Sequence, residues 1–361
     1  MDIFDYIKKY GIYSFTERKF NEIDNVIFSS LSYIDFNDIA SINFSNKITI
    51  EKAGKTYFEK HGDKIDKKKI RSIKNAILVL KKIMSTKRYK NITIHNYQYI
   101  SDENFQFGAV SFDISNKLVY VSFEGTDHLI SGWMEDFMIA CVFPIKAQKC
   151  AIKYLNRFMF NNKKIIVGGH SKGGHLAIIS AMYTNYFIKK RILKIYSNDG
   201  LGIKDEEFNS KKYKSIKEKI VKLIPDYSIV GHLLRSDTNY KIIKSTRSGL
   251  SSHNINTWVI KNNKFERSTN SKSCKILEKA INGWLLQYNI ENKLKFTESI
   301  FSICKKNDIK TIYDIKGKKR LLLKEVTSAN NIDDDVKEMF KELYRTIRKC
   351  NREYKDGDLS K

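Results

Sequence analysis

Through the first 90 residues apolar side chains recur at three- and four-residue spacing. FNEIDNVIFSSLSYI and IRSIKNAILVLKKI are the clearest cases, so this part is expected to be mainly helical. The period then falls to two. TIHNYQYI, FGAVSFDIS and KLVYVSFEG read as strands, the last two joined by a short turn at Ser115-Asn116. A helical stretch follows from Trp133 to Phe160, interrupted at Pro144. Beyond it the pattern alternates. KKIIVGG, RILKIYSND and IVKLIP read as buried strands, and LAIISAMYTNYFIKK and FNSKKYKSIKEK between them read as helices. Such alternation predicts crossover units and a mostly parallel sheet. Two more strand-like runs, NYKIIKSTRS and NTWVIKNNKFE, bracket the polar segment SGLSSHNIN. From about residue 270 the chain is again helical and strongly charged. The expected organisation is an α/β domain over residues 1–268, including the helical N-terminal segment, and a helical charged region over 269–361.

One stretch in this pattern carries chemistry. KKIIVGGHSKGGHLA holds Gly169-His170-Ser171-Lys172-Gly173, a G-x-S-x-G match between a buried strand and a helix. A sharp strand-to-helix turn forces its serine into a strained backbone, and glycines two residues away let strand and helix approach. The serine oxygen then projects from the sheet, and the Lys172 N–H can meet a developing oxyanion. Neither phosphate-loop pattern, G-x-x-x-x-G-K-[ST] or G-x-G-x-x-G, is present. Ser171 is therefore the expected nucleophile.

A serine needs a base. Downstream histidines are His232, in SIVGHLLRS, and His253, in the loop GLSSHN; the loop position favours His253. His170 and His175 stand too close to Ser171 along the chain and read as local packing. Two aspartates end strands where α/β sheets keep their sites, Asp199 in SNDGLG and Asp226 in PDYSIVG, and either could orient the histidine. A second oxyanion donor is expected from the backbone of Thr126 or Asp127, in FEGTDH after an earlier strand.

The formal charge of +26 points to an anionic partner or to lysines solvated all over the surface. The basic residues are spread along the chain, in short clusters such as Lys67-Lys68-Lys69 and Lys318-Lys319-Arg320. There is no helix-turn-helix or aromatic-interleaved basic platform, so no specific nucleic-acid binding is expected. Peripheral contact with an anionic membrane surface stays open. No stretch approaches the roughly 20 uncharged residues of a membrane span, and MDIFDYIKKYGIYSF lacks the basic start and apolar core of a signal peptide. Five cysteines without a C-x-x-C pair read as reduced thiols, and the expected location is cytoplasmic, with no metal or organic cofactor.

FEGTD, GWMEDF, GGHSKGGHLA, SNDGLG, PDYSIVG and SHNINTW occur in that order. Together they resemble the Mbeg-like α/β-hydrolases, a bacterial group similar to class 3 lipases. The resemblance takes in FNEIDNVIFSSLSYIDF and runs to about residue 310. It implies an α/β-hydrolase fold with Ser171 as nucleophile, His253 as base and an oxyanion loop at Gly125–Asp127. Glu124 stands where the lipase F-R-G-[ST] turn has arginine. Ser228-Ile-Val-Gly231 overlays the lipase D-x-V-P turn, with serine in place of the aspartate, while Asp199-Gly-Leu-Gly202 overlays the family's own D-G-x-G; this favours Asp199 as acid. Trp133, Glu135 and Asp136 are read as support for the oxyanion loop or as cover over the site. The implied activity is hydrolysis of a small or lipid-like carboxylic ester through an acyl-enzyme. A thioesterase or acyltransferase would use the same three residues, and a non-catalytic lipid binder on this fold is the third reading.

Overall fold

Strands rich in Val, Ile, Tyr and Phe form the centre of the molecule because such side chains pack well on a pleated surface. The computed structural model describes every residue except 63–69, 103–104, 127–129, 238, 312–313, 315–317, 319–323, 327–331 and 359–361. Among the described residues the sheet has eight strands in sequential order: β1 (Ile48–Thr49), β2 (Thr93–Ser101), β3 (Gln106–Ser115), β4 (Leu118–Phe123), β5 (Lys164–His170), β6 (Ile192–Asn198), β7 (Ile220–Pro225) and β8 (Lys241–Ile243). β1 to β4 pair antiparallel, and β4 to β8 run parallel.

Alternation along the central strands separates two cores. Tyr120, Ile166 and Tyr196 point to one face, covered by helices α1 (Ile3–Tyr10), α2 (Glu22–Leu31), α3 (Ile50–His61) and α4 (Arg71–Ile83). Val121, Val167 and Ile195 point to the other, against α6 (Lys146–Asn156) and α7 (Lys172–Tyr183). α5 (Ile130–Ile139) lies between β4 and α6 along the chain. This is the three-layer α/β-hydrolase architecture expected from the sequence. The N-terminal helices are tied down by a buried ion pair in which Arg88 donates to Asp24 at 2.6 Å, while the Tyr89 hydroxyl donates to the same carboxylate at 2.6 Å. Paired and hydrogen-bonded on all sides, the charges survive burial.

Several elements differ from the sequence expectation. The helix expected over LAIISAMYTNYFIKK breaks, because Asn185 caps a new helix, α8 (Tyr186–Arg191). FNSKKYKSIKEK forms only short turns: it begins at the last residue of α9 (Asp205–Phe208), continues into α10 (Lys211–Lys214), which Ser210 caps, and ends in a 3-10 turn at Lys217–Lys219; too few apolar residues are present to bury a longer face. NYKIIKSTRS contributes three residues to β8. NTWVIKNNKFE folds into a hairpin, β9 (Ile260–Lys261) against β10 (Lys264–Phe265), with Asn262 and Asn263 both at positive φ in its turn.

The C-terminal region is helical as expected, with α11 (Lys272–Gln287), α12 (Ile290–Lys306) and α13 (Asp334–Asp358) packed around Trp284, Phe296 and Met339. It also reaches the main body. Ile130 of α5 packs against Cys304 and Ile309, and its N–H donates to the Lys310 carbonyl at 2.9 Å. No helix among the described residues is long and apolar enough to cross a membrane.

Candidate active site

β5 must pass into α7 within a single residue, and Ser171 makes that turn at φ 58° and ψ −131°. This conformation costs a residue with a side chain about 1–3 kcal/mol. The flanking glycines make it possible. A Cβ on Gly169 would strike the Gly173 backbone, and one on Gly173 would strike the Phe123 carbonyl of β4. The Ser171 N–H donates to the Asn198 carbonyl at 3.0 Å. Asn198 is in turn fixed by α2: its side chain accepts from Asn25 at 2.8 Å and donates to Ser29 at 2.9 Å. The N-terminal helices thus brace the turn from the face opposite α7.

Asp199 closes β6, also at positive φ, with its carboxylate fully buried. One oxygen accepts from His253 Nδ1 at 2.6 Å and from the Ser228 hydroxyl at 2.5 Å; the other accepts from the Gly231 N–H at 3.0 Å. Burial alone would raise its pKa. Attraction to His253 and the bonds from His253 and Ser228 outweigh that, holding the carboxyl below its ordinary value. Asp226, one strand over, is engaged elsewhere: it accepts from the Ser245 N–H at 3.1 Å and the Ser268 hydroxyl at 2.8 Å. His232 pairs with Asn270 at 3.1 Å.

His253 ends a short 3-10 turn, Gly249–His253, and its loop is pinned from below. His170 Nε2 donates to the His253 carbonyl at 2.8 Å, the two rings lie 4.3 Å apart, and the Tyr33 hydroxyl donates to His170 Nδ1 at 3.1 Å. Burial, then the neighbouring His253, push the His170 pKa down to about 3, so it stays neutral and serves both bonds. His175, buried and lowered to about 4, donates from Nδ1 to the Gly202 carbonyl at 2.7 Å and so fixes the Asp199–Gly202 turn against α7. Neither role is visible in the sequence, where both histidines read as packing.

The Lys172 N–H opens α7 and belongs to the first turn, whose amide donors have no partner within the helix. Thr126 follows β4, and its hydroxyl donates to Asp136 at 2.6 Å. Asp136 is half-buried, and desolvation raises its pKa to about 6 despite the nearby Lys172 charge and the Thr126 bond. Asp127 lies outside the described residues. Most lysine side chains lie at protein surfaces, but that of Lys172 runs inward. Its Nζ donates to Glu135 at 3.0 Å and to the Gln106 carbonyl at 2.9 Å. Glu135 also accepts the N–H groups of Gln106 at 3.2 Å and Ala147 at 3.4 Å. The pair locks α7 to α5 and β3 directly behind the turn.

Ser171, His253, Thr126 and Asp136 line one cavity of about 570 Å³. Its other walls are mainly apolar, with Trp133 and Phe137 from α5, Leu201, Trp284 and Leu285 from α11, and Leu343 from α13. The C-terminal helices therefore close the space above the serine. No hydrogen bond joins Ser171 Oγ to His253 Nε2 in this structure; both residues line the same cavity, and catalytic hydrogen bonds often form only when substrate binds. An imidazole held at Nδ1 by a buried carboxylate presents Nε2 as a base.

No curated protein matches the chain. Among solved structures, M37 lipase aligns at 15% identity over 59% of this chain and 70% of its own, with a TM-score of 0.35. The model of the Mbeg1-like family matches residues 83–302, more than half of the chain, a span that holds the parallel strands, the strained serine turn and the His253 loop. The chain belongs to the Mbeg1-like family.

Proposed function

We propose that the chain is a serine hydrolase cleaving carboxylic esters with an apolar acyl group. Ser171 Oγ attacks the ester carbonyl while His253 Nε2 takes its proton, and Asp199 stabilises the imidazolium through Nδ1. The Lys172 and Thr126 N–H groups receive the oxyanion. His253 then returns the proton to the leaving alcohol, and a water activated by the same imidazole releases the acid from Ser171. Asp136 holds Thr126, and the Glu135–Lys172 pair holds the start of α7, so both donors are set before substrate arrives.

The observation that supports this reading best is the 2.6 Å bond between His253 and a buried Asp199, on the same cavity wall as a serine at positive φ. A strained, braced serine with a paired histidine is costly as mere structure. The apolar lining favours an acyl chain over a charged substrate. The test is turnover of a p-nitrophenyl ester series from short to long acyl chains. Wild type should turn over an apolar ester and Ser171→Ala should not. Equal turnover by the two would remove the proposal.

A further inference from the structure

The residues proposed for chemistry sit where β5 and β6 end. Where these strands begin, the molecule carries a different surface. Phe160 is 97% exposed, Phe187 64%, Tyr186 61% and Leu193 45%. Soluble surfaces normally show large apolar residues singly. Here they stand on three segments that are tied together. Arg191 of α8 donates to the Phe158 carbonyl at 2.5 Å and to the Lys163 carbonyl at 3.3 Å, and Asn156 accepts from the Asn185 N–H at 2.9 Å. Ile165 pairs with Ile192 and Ile166 with Lys194, so Leu193 is the extra residue of a bulge.

Charge is concentrated in the same part of the chain. Between Asp136 and Asp199 there is no acidic residue; leaving aside Lys172, which is buried at the other end of the sheet, this stretch holds eight lysines and two arginines. Lys164, Lys190 and Lys194 are exposed beside the apolar residues, and Lys190 Nζ lies 4.5 Å over the Tyr186 ring. Asp113, an acid at this end of the sheet, is neutralised by Lys47 at 2.6 Å and Lys163 at 2.7 Å.

We propose that this end of the sheet docks the protein on an anionic lipid surface. Phe160, Tyr186, Phe187 and Leu193 enter the headgroup layer, and Lys164, Lys190 and Lys194 bind lipid phosphates. A nucleic acid would call for aromatic rings along a basic groove. Leu193 offers no stacking face and gains only by leaving water. The cavity lies at the far end of the strands, away from this surface, so the inference does not rest on the role of Ser171.

The test is co-sedimentation of the full chain with vesicles of phosphatidylcholine, with and without roughly one-third phosphatidylglycerol. Wild type should bind only the anionic vesicles and release them at about 0.5 M salt, where surface charges are screened. Joint substitution Lys164→Glu, Lys190→Glu and Lys194→Glu should weaken partitioning by about a hundredfold. Phe160→Ser with Phe187→Ser should weaken it at least about tenfold. These side chains are exposed, and an unchanged thermal transition would show that the variants fold. The proposal is overturned if wild type ignores anionic vesicles, if both variants bind like wild type, or if a single-stranded oligonucleotide is held by this patch while vesicles are not.

Discussion

The two ends of the parallel strands handle polarity in opposite ways. At the C-terminal end, Asp199, Glu135, Lys172 and His170 are buried and Asp136 is half-buried, each with a named partner, and two side-chain-bearing residues, Ser171 and Asp199, are held at positive φ. At the N-terminal end, lysines and large apolar side chains lie open to solvent on a tied backbone. Buried polar groups cost free energy unless paired, so that end is rigid and every substitution there should be felt. Exposed ones cost little, so the other end should tolerate change in everything except binding.

The sharpest break in this comparison concerns the two strand-end aspartates. Asp199→Asn should lower kcat/KM by about 10⁴, because the imidazole loses its orienting charge. Asp226→Asn should leave turnover within about tenfold and cost about 1–3 kcal/mol of stability through the Ser245 and Ser268 bonds. Ester kinetics on both variants check this, and equal losses would remove the distinction.

Next in size is the buried pair behind the serine turn. Lys172→Met leaves the buried Glu135 carboxyl without its ion-pair partner, at a cost of about 3–5 kcal/mol in urea unfolding. Adding Glu135→Leu should recover much of that loss. A double variant as weak as the single one would show that the backbone bonds of Glu135, and not its charge, matter.

Asp136 gives a pH signature. Its pKa is raised to about 6 from 3.8, so its ionisation opposes folding. The stability tied to its protonated form is complete below about pH 4 and lost as pH rises through 6. Asp136→Asn should therefore be more stable than wild type near pH 8, by up to about 3 kcal/mol, with the gap closing near pH 4. Denaturant curves at the two pH values read this directly; a gap independent of pH would contradict it. The smallest effect is expected for His170→Phe, which removes the bond to the His253 carbonyl. Turnover should fall by about tenfold while urea unfolding shifts by about 1–2 kcal/mol.

What was legible in the sequence follows the same division. The alternation of period-two and helical segments outlined β2 to β7, and G-x-S-x-G flanked by IIV and LAIISAM located the strained turn, because close backbone approach needs glycine at fixed offsets. Asp199 and Asp226 looked alike by position, since both end strands; the resemblance favoured Asp199, and in the fold it is the Asp199 carboxylate that meets His253. The inward course of Lys172 was hidden, because its partner Glu135 lies 37 residues away on another element. His170 read as packing for a similar reason, its partners being Tyr33 and the His253 backbone. The expected β-run NTWVIKNNKFE concealed a hairpin that the Asn262-Asn263 pair, tolerant of positive φ, could have announced. The cavity roof formed by Trp284 and Leu343 had no signal beyond helical periodicity.

The most direct test of the central claim is labelling with a fluorophosphonate probe under native, reducing conditions, followed by peptide mapping. A single adduct on Ser171, absent from Ser171→Ala and strongly slowed in Asp199→Asn, is the predicted result. No adduct on the folded wild-type protein, or one that persists in Ser171→Ala, would contradict an activated serine at this turn.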